Sequence, residues 1–81
     1  MDIKKVLRIT ELAVQVSRET EHDVFASYSG HVDSIEVHYH KGGWSTSSQP
    51  IFMSDIFGFD LFGKPSDSEL DKIISYLEGL L

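Results

Sequence analysis

Ser34-Ile35-Glu36-Val37-His38-Tyr39-His40 alternates without a break, with Ile35, Val37 and Tyr39 on one side and Glu36, His38 and His40 on the other. Successive side chains of an extended strand point to opposite faces, so this stretch is a strand with one face on a core and the other toward water. A half-buried strand of that kind belongs to an antiparallel sheet. Just before it, Val24-Phe25-Ala26-Ser27-Tyr28-Ser29 reads as a partner strand, and Gly30-His31-Val32-Asp33 supplies the turn of a hairpin. Beyond it, Lys41-Gly42-Gly43 is a second turn signal. Trp44-Ser45-Thr46-Ser47 is then expected to return as a third antiparallel strand, with Trp44 anchoring that end of the core.

Both flanks carry a helical period. Over residues 2–18, Ile3, Val6, Leu7, Ile9, Leu12, Ala13, Val14 and Val16 recur at steps of three and four, with Lys4, Lys5, Arg8, Glu11, Gln15 and Arg18 between them. This is an amphipathic helix with a broad apolar stripe. Its β-branched residues lower the intrinsic helix propensity, so tertiary packing must hold it. At the other flank, Ser66 and Glu69 have the spacing of a reciprocal cap, in which each side chain accepts the other residue's backbone amide. Leu70, Ile73, Ile74, Leu77, Leu80 and Leu81 form the apolar stripe of the helix that follows. Between the flanks, Ile51, Phe52, Met53, Ile56, Phe57, Phe59, Leu61 and Phe62 make a dense apolar segment. Alternation of Phe57, Phe59 and Leu61 favours a short fourth strand, whereas Gly58 suits a bulge or an irregular loop, so core, strand and interface all stay open there. The expected fold is one α+β domain over residues 1–81. It is a two-layer sandwich of helix, three or four antiparallel strands and helix, with both helices on the one apolar sheet face.

Composition narrows the function classes. An 81-residue chain builds a thin core, and with no cysteine it has neither disulfides nor a thiolate for metal or catalysis. Seven basic against thirteen acidic residues give a formal charge of −6, the wrong sign for a phosphate backbone, so nucleic acid is not expected as a partner. After Lys41 the bases are Lys64 and Lys72 against six carboxylates, which concentrates acid on the last helix. No segment has the apolar length of a membrane span and the first residues lack a secretory pattern, so the protein is expected to be cytoplasmic.

The residues that could carry chemistry are few. Residues i and i+2 on a strand lie about 6.5–7 Å apart, near enough for His38 and His40 to share a metal if a third ligand came from elsewhere. That makes a small metal-binding protein or metal-dependent enzyme the alternative. The serines have no nucleophile-elbow glycines around them, and Asp67 and Asp71 are helical neighbours at i, i+4, not a buried acid–base pair. A base-stacking sheet needs exposed aromatics interleaved with cations, and alternation sends Tyr28 and Tyr39 to the buried side. The expectation is therefore a non-enzymatic, acidic protein-binding module without a cofactor. Its contact surface is either the polar sheet face at Glu36, His38 and His40 or the acidic helix at Asp67 and Asp71, and a homodimer is compatible with both.

The segment Ser27-Tyr28-Ser29-Gly30-His31-Val32-Asp33-Ser34 leading into an alternating strand, Gly43-Trp44, and the terminal leucine-rich helix together resemble small open reading frames of phages and prophages. The likeness covers most of the chain and contains no motif of known activity. It implies an accessory role in a bacterial cytoplasm exerted by binding a host or phage protein, and an acidic product of this kind can imitate nucleic acid.

Overall fold

The chain enters its first helix through Asp2, whose carboxylate accepts the Lys4 amide at 2.9 Å and satisfies one of the free donors of the first turn. In the computed structural model, which describes residues 1–58 and 65–81, that helix, α1, spans Ile3–Glu19. Strands β1 (Asp23–Ser29) and β2 (Ser34–His40) follow as a hairpin, then a two-residue strand β3 (Ile51–Phe52), a short helix α2 (Met53–Phe57) and helix α3 (Asp67–Gly79). The sheet is antiparallel in the order β1-β2-β3. Among the described residues no helix is long and apolar enough to cross a membrane.

The hairpin register assigns the faces. Val24 lies opposite Tyr39, Ala26 opposite Val37 and Tyr28 opposite Ile35, which places these six on one side. Ile9, Leu12, Ala13 and Val16 of α1, Leu70, Ile73 and Leu77 of α3 and Met53 of α2 join Val24, Ile35, Val37 and Tyr39 in one buried cluster. Both long helices thus lie on one sheet face, as the pattern predicts. They run in the same direction, tied along their length. The Asp2 amide donates to Asp67 at 3.0 Å, Lys5 Nζ lies 2.8 and 2.9 Å from the two Asp71 oxygens, and Arg8 reaches Glu78 at 3.0 Å and also pairs with Glu11. Deeper in, the hydroxyls of Tyr39 and Tyr76 share a hydrogen bond of 2.6 Å.

The cap read from Ser66 and Glu69 is present in both directions: Glu69 N–H donates to Ser66 Oγ at 3.2 Å and Ser66 N–H donates to Glu69 Oε1 at 3.0 Å. Ser66→Ala is expected to lower unfolding free energy by about 1 kcal/mol, seen as a lower urea midpoint at unchanged slope.

Four expectations are corrected. Residues 44–47 are not a strand, and Trp44 does not anchor the core, being 58% exposed; the third strand is Ile51–Phe52. The chain is held in a loop instead, because the Asp23 carboxylate accepts the Trp44 amide at 2.7 Å and His22 Nδ1 accepts the Gly42 amide at 3.0 Å. Gly43 takes φ +106° there, and a Cβ on it would stand 3.2 Å from the Glu21 carbonyl oxygen. The α1 stripe is only partly buried: Ile3, Leu7 and Val14 are 70%, 61% and 54% exposed, since their four- and seven-residue spacing gives them a second side of the helix. Tyr28 faces the helix side yet is exposed at the turn end of the hairpin, its hydroxyl donating to Asp33 Oδ1 at 2.7 Å. Finally, Phe57 belongs to α2 and packs edge-on against Tyr76, while Phe59 and Leu61, the rest of the suggested fourth strand, lie outside the described residues.

Candidate functional site

Opposite the helices, the outer sheet face is built from the alternate residues of the same strands. Phe25 pairs with His38 across β1 and β2, and His38 pairs with Phe52 across β2 and β3, so three rings form a row at right angles to the strands. His38 stacks on Phe25 with centroids 4.9 Å apart and planes 10° from parallel, and its other flank meets Phe52 at 5.1 Å. One row over, Ser27 faces Glu36, and His38 Nδ1 lies 2.8 Å from Glu36 Oε1. The imidazole is thus fixed by two rings and a carboxylate, and Phe25 stays 42% exposed at the end of the row. Ring pairs at these distances add about 0.5–1.5 kcal/mol each beyond the area they bury.

His40 behaves differently from the expectation that all three polar residues of β2 are wet. It is only 5% exposed, its ring set edge-on to Phe25 at 5.6 Å and to His38 at 5.9 Å. The loop after Gly43 closes over it: His40 Nδ1 is 2.7 Å from Ser48 Oγ, which also donates to the Ser45 carbonyl at 3.0 Å and accepts the Ser45 amide at 2.9 Å. Ser48 Oγ thus joins the His40 ring to the Ser45 backbone. The contact staples the loop over the end of β2.

Among the described residues no three histidine, aspartate or glutamate side chains come together as a metal site. Of the acidic pair on the last helix, Asp71 is ion-paired with Lys5 and Asp67 accepts the Asp2 amide, so both are engaged in joining α3 to α1. Glu36 and His38 remain together on the open face, His40 is brought beneath it, and Asp67 and Asp71 lie apart on the helical layer.

Phe25 and Phe52 are the members of this face that the sequence reading did not single out. For Phe25 the signal was available, since alternation with Val24 and Ala26 puts it on the side of His38. Phe52 gave none, because a two-residue strand has no period. Comparison with protein-family models, curated proteins and solved structures found no match.

Proposed function

We propose that this chain is a non-enzymatic protein-binding module whose contact surface is the outer sheet face, centred on Phe25, His38 and Phe52 and rimmed by Glu36. The observation that supports it is the ring row itself. An aromatic centre held rigid before binding, with a charged group beside it, is the arrangement that concentrates binding energy in a few residues. The partner presents an apolar side chain to the row and a lysine or arginine to Glu36, and the net charge of −6 favours approach of a basic surface. The aromatic row also suits stacking of bases, but single-stranded nucleic acid binding needs cations along the groove, and here Glu36 stands beside the rings. On the resemblance alone, the setting is that of a phage accessory protein acting on a host or phage protein.

Capture from bacterial lysate on the immobilised chain, with the retained protein identified and its affinity measured, tests this reading. Phe25→Ser is expected to weaken retention at least tenfold, about 1.4 kcal/mol, at an exposed position that leaves the circular dichroism unchanged. Asp71→Asn is expected to leave it intact. A partner kept by the Phe25 variant and lost with the Asp71 variant would move the contact to α3, and saturable binding of single-stranded RNA at physiological salt would replace a protein partner by a nucleic acid.

A further inference from the structure

We propose that two copies of the chain join edge to edge through β1, with the exposed sides of their α1 helices packed together beneath the joint. The proposal concerns a different surface from the outer sheet face and stands independently of it. The two edges of the sheet are built differently. The β3 edge is two residues long and is preceded by Pro50, whereas β1 offers seven residues with no proline, lysine or bulge. Short strands, prolines and lysines are the devices that keep an edge from pairing, and β1 lacks them.

The backbone indicates how the pairing would run. Val24 N–H donates to Ser17 Oγ at 2.9 Å, and Ser17 Oγ donates back to the Val24 carbonyl at 3.4 Å, so Val24 directs both groups away from β2. By the alternation of an antiparallel ladder, Ala26 and Tyr28 direct theirs the same way, and among the described residues nothing on that side pairs with them. A two-fold axis at Ser27 sets Ala26 of one copy against Tyr28 of the other, and the reverse. Both residues then exchange amide and carbonyl bonds, while the Ser17 contact to Val24 stays in place.

The flank supports the same occupant. Two grooves lie between α1 and this edge, one touching Thr10, Val14, Ser17 and Ala26, the other Ile3, Leu7 and Tyr28. Ile3, Leu7, Thr10 and Val14 form an uncharged ridge beside the strand, and the charges lining the two grooves, Arg18 in one and Asp33 in the other, are of opposite sign. An isolated extended peptide would pair with β1 and leave Ile3 and Leu7 in water. A second copy brings both a strand and a ridge. A standard interface takes roughly 800 Å² from each partner, about a sixth of the 4973 Å² surface. A helix of 17 residues is about 25 Å long, and a strip of that length, as wide as a helix plus a strand, is about 400 Å² per copy, so the joint is at the small end and its dimer depends on concentration. The joint makes one six-stranded sheet with two Phe25-His38-Phe52 rows on the same outer face.

Sedimentation equilibrium over a concentration series, with hydrogen exchange read amide by amide, tests this. The wild type is expected to approach the mass of two chains as its concentration rises, with the Ala26 and Tyr28 amides protected. Leu7→Glu, at an exposed position, and Ala26→Pro, whose lost N–H points away from β2, are each expected to weaken the dimer at least tenfold, and Leu7→Glu to free both amides while the circular dichroism is kept. A wild type that stays monomeric at every concentration overturns the proposal. So does a dimer that persists in both variants with the two amides exchanging fast. Protection of those amides in a monomer only after a peptide of β1 sequence is added would assign the edge to a strand ligand and overturn it as well.

Discussion

Leu12→Ala is expected to lower the unfolding free energy by about 3 kcal/mol, because it removes a leucine that is fully buried in the middle of α1. The loss combines the transfer of the missing carbons with the cavity they leave. Leu12 belongs to a close-packed cluster whose members come from all three helices and both long strands, where relaxation into a cavity is only partial. For a chain of this length the whole stability is on the order of 4–12 kcal/mol, so the variant gives up a quarter or more of it. Urea unfolding followed by circular dichroism, at one fixed protein concentration, measures the effect. The matching change at Leu81, 51% exposed, is expected to stay within about 0.5 kcal/mol. A Leu12 loss below 1 kcal/mol would mean that the helical layer can collapse onto the sheet.

Between pH 10 and 12 the protein is expected to lose on the order of 2 kcal/mol through one phenol. Burial first, and the hydrogen bond with Tyr76 second, push the Tyr39 hydroxyl up to about 12, whereas an unfolded tyrosine ionises near 10. The folded state therefore holds its proton where the unfolded state releases it. The contribution is fully present below pH 10 and is lost as the pH rises toward 12. Urea midpoints at pH values on either side of that window measure the fall, and Tyr39→Phe, which has no proton to lose there, is expected to fall less. The Lys5 ammonium, raised by its hydrogen bond to Asp71, also titrates at alkaline pH. Its partner Asp71 is open to water, so the pair contributes little, and comparison with the Tyr39 variant cancels it. An equal fall in both proteins would place the alkaline sensitivity elsewhere.

The outer face was only half legible in the sequence. The alternation of residues 34–40 puts Glu36 and His38 where the structure has them, because the sign of a strand residue is a local matter of odd and even positions. His40 obeys the same alternation and is buried all the same, since a loop eight residues further on folds back and Ser48 bonds to its ring. Nothing near His40 in the chain encodes that. The carboxylates of α3 show the same limit: Asp67 and Asp71 read as a solvated acidic face, and only the parallel placement of α1 brings Asp2 and Lys5 to them.

By itself the sequence determined the local elements: the α1 and α3 periods, the Ser66–Glu69 cap, the hairpin and the sidedness of β2, since each depends on neighbours within a few residues. The tertiary structure decided which apolar residues of α1 face solvent, where the third strand forms and which rings meet on the outer face. Those outcomes depend on segments far apart in the chain competing for one small sheet. An amphipathic stripe says that a helix must be covered, and only packing decides how much of it is.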